Sequence, residues 1–188
     1  MNEKNFIRNE MKERLSKLSK PYYEHYSYKI ATNLYNHEDW QQSKVIGITV
    51  SKEPEVDTYQ IIRKAWESGK EVVIPKCHPK KKALTFHKIT KFSQLESVFY
   101  GLFEPIIEQT IEVKPENIDL LIVPGLAYTN EGFRLGFGGG YYDRYLPGYN
   151  GKTMALAFHF QVISQFDIEE HDIPVSKIIT NNEVINTK

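Results

Sequence analysis

The sequence predicts one α/β domain built in three layers, a mainly parallel sheet with helices on both faces. Three observations carry that expectation. The chain has 188 residues, enough to bury one substantial core without dividing. Short apolar, β-branched runs recur at residues 45–50, 72–74, 120–123, 154–158 and 177–180, with the near-continuous hydrophobicity of strands buried on both sides. Between several of them lie stretches of helical periodicity or turn residues, and strands interleaved with helices pair mainly in parallel.

The elements follow in order. Over residues 2–18, Ile7, Met11, Leu15 and Leu18 recur at helical spacing with charged residues between them, giving an amphipathic helix. Pro21 stops it and suits the first turn of a second helix to about residue 36, with Tyr22, Tyr26, Ile30 and Leu34 on one stripe. Two helices at 2–36 therefore precede the sheet. The first strand is expected at 45–50. Asp57 and Thr58 can cap the next helix, whose inward candidates are Ile61, Ile62, Ala65 and Trp66, and Gly69 closes it before 72–74. Residues 84–89 alternate enough for a further strand, and connections between parallel strands should cross over right-handedly. No repeat, low-complexity tract or linker divides the chain, so residues 1–188 read as one unit.

Bulk composition narrows the partners. Lysine plus arginine equals aspartate plus glutamate at 24 each, so no whole-molecule field gathers nucleic acid. The one cysteine, Cys77, excludes an internal disulfide and reads as an ordinary thiol, and no apolar run resembles a leader or a membrane span. A cytoplasmic, monomeric protein without a membrane partner is the expectation.

Seven of the 11 glycines lie between Gly132 and Gly151, just after the run at 120–123. The stretch Arg134-Leu-Gly-Phe-Gly-Gly-Gly-Tyr-Tyr-Asp143 puts Gly136, Gly138, Gly139 and Gly140 where a loop would enter a helix. Glycines let a backbone approach phosphate oxygens, amides and a helix N-terminus supply partial positive charge, and a guanidinium can take two oxygens at once. Neither standard phosphate fingerprint is present, because no Lys-Ser/Thr follows the glycines and Tyr141 stands where a dinucleotide loop needs its third glycine. From the residues alone, a nucleotide loop and a tight turn under an aromatic cluster both remain open.

With its long signature, Val123-Pro-Gly-Leu-Ala-Tyr128 followed by Gly132-Phe-Arg-Leu-Gly-Phe-Gly-Gly-Gly-Tyr-Tyr-Asp-Arg-Tyr-Leu146, the sequence resembles the 5-formyltetrahydrofolate cyclo-ligases, also called methenyltetrahydrofolate synthetases. Weaker similarity runs through Lys4 and Arg8, Glu55-Val-Asp-Thr58, Tyr100-Gly-Leu-Phe-Glu-Pro105, Ala155-Leu-Ala-Phe158 with Gln161, and His171-Asp-Ile-Pro174. The resemblance implies an ATP- and Mg²⁺-dependent enzyme acting on 5-formyltetrahydrofolate, with a mono- or polyglutamate tail. It implies ATP contacts from Lys4, Arg8, Arg134, Leu135, Gly136, Phe137, Gly138, Gly139, Gly140, Tyr141 and Tyr142, with Arg134 and Tyr141 as the catalytic pair. For the substrate it implies Val50, Glu55, Tyr100, Phe137, Gly138, Gly139, Gly140 and Tyr141, and for the metal Asp143 and Asp172. Two departures stand out: Tyr128 and Thr129 replace a usual phenylalanine and aspartate, and Ser176 or Lys177 replaces an acidic position near the C-terminus.

Elementary chemistry is compatible with these roles. Asp143 falls about one turn into the helix, where a carboxylate can reach a hard divalent cation. Lys4 and Arg8 are four apart and share a helix face. Glu55 precedes a helix after the first strand, where ligands of open α/β sheets often bind. From 72 to 95 there is no acidic residue, while Lys76, Lys80, Lys81, Lys82, Lys88 and Lys91 accumulate. That basic stretch reads either as an attractor for a polyglutamate tail or as a solvated turn beside an edge strand. A non-catalytic folate or nucleotide binder, and an ATP-dependent ligase or kinase for another small acid, are the competing functions. The former would not need phosphate, metal and pterin groups together, and the latter would not need Glu55.

Overall fold

The structure is a computed structural model describing residues 2–187. Two helices open the chain, α1 (Glu3–Ser16) and α2 (Lys20–Tyr35), and a short α3 (Glu38–Gln42) leads into strand β1 (Val45–Gly47). Then come α4 (Tyr59–Glu67), β2 (Glu71–His78), β3 (Ala83–Ile89) and the short strands β4 (Leu95–Ser97), β5 (Phe103–Pro105) and β6 (Ile111–Val113). After β7 (Leu120–Ile122), the small hairpin of β8 (Ala127–Tyr128) and β9 (Arg134–Leu135) precedes α5 (Tyr141–Tyr145). Strands β10 (Lys152–Ala157), β11 (Lys177–Thr180) and β12 (Val184–Asn186) follow.

Eight strands form one sheet in the order β12-β11-β10-β7-β1-β2-β3-β6. Its centre, from β11 to β2, is parallel, while β12, β3 and β6 are antiparallel additions at the two sides. Strand residues alternate between two cores. Ile46, Val72, Ile74, Leu120, Ile122, Met154 and Leu156 face α1 to α4. Val73, Leu121, Ala155, Ala157 and Ile178 face the other way, toward Leu146, Tyr149 and the tyrosines of α5. This second layer is thin, a five-residue helix and irregular chain. Small side chains on that face let it sit close: a β-carbon on Gly47 would lie 2.8 Å from Leu121 Cδ1. Each fully buried aliphatic side chain contributes about 1.5–3 kcal/mol.

The opposite end of the sheet is tied by charge. The buried Asp39 of α3 takes 2.8 Å contacts from Lys152 and Lys177, the first residues of β10 and β11. Asp119 accepts the amides of Lys44 and Val45 at 2.8 Å, fixing the start of β1 beside β7.

Several sequence expectations shift in detail. The stripe of α2 runs through Tyr23, Ser27, Ile30, Ala31 and Leu34, and Tyr22 points to solvent at 57% exposure, because neighbouring helical positions are about 100° apart. β1 is shorter than 45–50: Ile48 still donates to the Val73 carbonyl, and then the chain leaves the sheet. In the basic stretch, Lys76 pairs with Glu96 at 2.7 Å and Lys88 with Glu71 at 2.9 Å, whereas Lys80, Lys81 and Lys82 are exposed at the turn between β2 and β3. Cys77 is half-buried, and burial followed by the nearby Glu104 carboxylate pushes its thiol up to about 11, which suits an inert side chain.

Candidate active site

From β1 the chain builds outward through β2 and β3, and later returns to the other side of β1 as β7. The loops leaving β1 and β7 therefore diverge, and a crevice must open between them. A cleft of about 500 Å³, counting the part open to solvent, lies there, and Ser51, Glu55, Thr58, Pro124, Gly125 and Phe137 are among the residues that line it. Thr58 holds its first wall in shape, its hydroxyl donating to the Thr49 carbonyl at 2.6 Å and accepting the Ser51 amide at 2.8 Å. Glu55 is half-buried. Desolvation raises its carboxyl above the ordinary 4.5, against the opposing hydrogen bond from the Lys52 amide at 3.1 Å and the Lys52 charge. On the second wall the buried Tyr128 packs under Gly125, its hydroxyl 3.5 Å from the Val123 carbonyl, which is how the tyrosine replacing the usual phenylalanine braces this loop. The neighbouring Thr129 hydroxyl is buried without a partner among the described residues.

Arg134 and Leu135 lie in β9, so the guanidinium is launched from a strand. Its side chain is only 6% exposed, pairs with Asp143 Oδ1 at 2.6 Å and packs 5.7 Å from the centre of the Tyr142 ring. Its Nε has no partner among the described residues. The loop turns through left-handed Gly138 (φ 107°) and Gly140 (φ 67°), conformations that side chains resist. Among the described residues the amides of Gly138, Gly139 and Gly140 donate to no protein acceptor. Arg144, which the sequence reading passed over as a site residue, holds the Gly139 and Gly140 carbonyls at 3.3 and 2.9 Å. The Tyr141 ring lies so near Gly139 that a β-carbon there would approach it to 2.9 Å. The expected help from a helix dipole is reduced, since α5 has five residues, leaving the loop amides as the main donors.

Helix α1 lies along this loop. Arg8 Nε donates to the Gly136 carbonyl at 2.9 Å. Asn5, Arg8, Asn9 and Lys12 form one wall of a polar groove, about 890 Å³ with its open part, whose other wall is Phe137 and Gly138. Phe137, 49% exposed, thus separates the two recesses. Lys4 is engaged elsewhere, 3.4 Å from Glu169 and 3.7 Å from Asp172. Asp172 also accepts the Glu169 amide at 2.8 Å and, with Glu169 and His171, forms a compact set of possible metal donors. No hydrogen bond or ion pair links Asp143 to Asp172 among the described residues.

Two named residues stand apart from the cleft lining. Val50 is 6% exposed and packs in the core, while its neighbours Thr49 and Ser51 face the cleft. Tyr100 sits at the β4–β5 tip with φ 60° and 87% exposure. Lys177, at the position where an acid was missing, serves Asp39 at the far end of the sheet. Gln161 lines the cleft and reaches the Leu126 carbonyl at 3.1 Å; the sequence marks it and Thr58 as part of the family resemblance, with no site role, and does not mark Ser51 at all.

Residues 1–181 match the 5-formyltetrahydrofolate cyclo-ligase family along almost the whole chain. The chain belongs to that family. A probable 5-formyltetrahydrofolate cyclo-ligase of Caenorhabditis elegans is 31% identical over 97% of this chain and 94% of its own length. The mouse 5-formyltetrahydrofolate cyclo-ligase is 30% identical over 92% and 91%. Among solved structures, the 5,10-methenyltetrahydrofolate synthetase of Aquifex aeolicus superposes with a TM-score of 0.87 at 29% identity, covering 98% of this chain and 93% of that one. This cyclo-ligase is therefore an α/β enzyme of a class whose reaction depends on ATP. Within it, the apolar cleft with one desolvated carboxylate and the polar, cationic groove are chemically distinct and share the Phe137 wall. Arg134 Nε and the open amides fit an anion; of the two aspartates, Asp172 is grouped with Glu169 and His171 as possible donors to a hard cation, and Asp143 faces Arg134. No helix among the described residues is long and apolar enough to cross a membrane.

Proposed function

We propose that this cyclo-ligase converts 5-formyltetrahydrofolate to 5,10-methenyltetrahydrofolate, consuming ATP and releasing ADP and phosphate. The observation carrying this reading is the pair of recesses on either side of Phe137, one suited to a flat heterocycle and the other to a polyanion. In the apolar cleft, Glu55 accepts hydrogen bonds from the amino group and ring nitrogen of the pterin. The formyl oxygen, held toward the groove, attacks the γ-phosphorus and ADP departs. N10 then bonds to the activated carbon and loses its proton, and the carbon–oxygen bond breaks to free phosphate.

A formamide oxygen is a poor nucleophile, so the chain's task is alignment and charge stabilisation. Arg134 and the amides of Gly136 to Tyr141 hold the phosphates, and Arg134 neutralises charge as it spreads over the phosphoryl oxygens. Tyr141 flanks the reacting groups, Arg8 approaches the nucleotide from α1, and Lys4 joins it by leaving Glu169 and Asp172. Val50 backs the folate side from the core, and Tyr100 approaches it from the β4–β5 tip. Asp143 and Asp172 would hold Mg²⁺, which when bound offsets phosphate charge. On this reading Arg134 exchanges Asp143 for phosphate.

Purified protein mixed with 5-formyltetrahydrofolate, ATP and Mg²⁺ should develop the near-ultraviolet band of the methenyl product, and lose it when ATP or Mg²⁺ is omitted. Folded protein that gives no band in the complete mixture overturns the proposal.

A further inference from the structure

Lys52 joins two parts of the site that lie 48 residues apart in the chain. Its backbone frames Glu55: the Lys52 amide donates to Glu55 Oε2 at 3.1 Å, and the Glu55 amide donates to the Lys52 carbonyl at 2.9 Å. Its ammonium donates to the carbonyl of Tyr100 and lies 3.5 Å from where a β-carbon on Gly101 would stand. The base of the β4–β5 hairpin is anchored on β2, through Lys76 with Glu96 and the Cys77 amide with Glu104. The tip is closed on itself by Val98 to Leu102 and Leu102 to Phe99 backbone bonds. Among the described residues, Lys52 makes the one hydrogen bond that reaches residues 98–102 from outside the hairpin.

That tip has two properties that packing does not explain. Phe99 and Tyr100 are 78% and 87% exposed, side by side. Tyr100 adopts φ 60°, a left-handed conformation that costs a side-chain-bearing residue about 1 kcal/mol or more. Positive φ at both Tyr100 and Gly101 is what a two-residue hairpin turn uses, so the turn closes itself; what it does not set is where its rings stand relative to the Glu55 loop, and the Lys52 ammonium, bonded to the Tyr100 carbonyl, supplies that tie.

We propose that Lys52 is a positioning residue for the folate, tying the Phe99–Tyr100 tip to the Glu55 loop so that the two rings form an aromatic wall at a fixed separation from the pterin-binding carboxylate. The group this wall takes is the flat benzoyl ring beyond the pterin, which stacks on aromatic faces. The inference rests on the folate reading above.

Equilibrium binding without turnover tests it, with 5-formyltetrahydrofolate and with 5-formyltetrahydropteroate, which keeps the benzoyl ring and lacks the glutamate. Lys52→Met, which keeps the aliphatic stem, should weaken both about five- to tenfold, the effect of losing one charge-assisted hydrogen bond. Lys52→Arg should restore most of the loss, and nucleotide affinity and melting temperature should not move. In a Phe99→Ala/Tyr100→Ala background, Lys52→Met should add less than about twofold, as expected of coupled residues. Lys52→Met protein that binds the folate as tightly as wild type would overturn the tie alone. So would a loss confined to the glutamate-bearing ligand, which would make the ammonium a carboxylate site. Wild-type protein that binds neither compound would overturn the folate reading and this one with it.

Discussion

Glu55 carries a cost that its proposed work would explain. Its carboxyl is held above the ordinary 4.5 mainly by desolvation, so the charged form is the disfavoured one in the folded chain. That penalty is absent below the ordinary value and complete above the folded value, so stability attributable to this group falls as pH rises through the window. Glu55→Gln should therefore melt a few degrees higher at neutral pH, with the difference vanishing near pH 4, as read by calorimetry across pH. The same substitution should raise the KM for 5-formyltetrahydrofolate roughly tenfold or more, since a charge-assisted pair of hydrogen bonds is lost, and leave the KM for ATP alone. An enzyme for another small acid would show the thermal gain without the folate loss. Arg134 and Asp143 offer a second residue-level test. Asp143→Asn strips a guanidinium that is 6% exposed of its anionic partner, so melting should drop by an amount equivalent to about 1–3 kcal/mol, and half-saturation by Mg²⁺ should rise at least tenfold. Both residues could be read from sequence because they sit nine positions apart in one motif. Lys52 and Ser51 could not, because their relevance depends on the sheet order and not on neighbours in the chain.

At the level of elements, α1, α2 and α4 were legible because long amphipathic stripes outvote local exceptions, and the central parallel strands because runs buried on both faces contain almost no polar residue. The short strands were not: β8 and β9 have two residues each, too few to show a period. Yet this hairpin aims Arg134, and Gly132 sets its turn. Gly132 has φ 90°, donates to the Thr129 carbonyl at 3.0 Å, and offers no room, a β-carbon there falling 2.3 Å from the Val175 carbonyl. Gly132→Ala should destabilise by about 2–4 kcal/mol, seen as a fall of roughly 5–12 °C in Tm. Gly148→Ala, where nothing lies within 4 Å of the added carbon, should stay within about 0.5 kcal/mol of wild type.

For the molecule as a whole, the two ends of the sheet have different work. The cleft end leaves groups unpaired, whereas the Asp39 end pairs them closely. Burial pushes the Asp39 carboxyl up, but hydrogen bonds from Lys152 and Lys177 outweigh it and hold the group below 3.8. Its stabilisation is thus full above 3.8 and fades as pH falls through the lower folded value. Asp39→Asn should cost about 2 kcal/mol at pH 7 and shrink the difference from wild type in strong acid, in paired denaturation curves. The three-layer α/β class and the strand at 84–89 could be read from the sequence, but the edge strands β6 and β12 could not, because three residues each are too few to show a period.

Arg8 meets the Gly136 carbonyl across 128 residues, and Lys4 meets Asp172 later still. During synthesis, α1 must therefore wait for residues 136 to 172 before these partners exist. A chain stopped before Phe137 would lack one wall of the polar groove, however well α1 itself had formed.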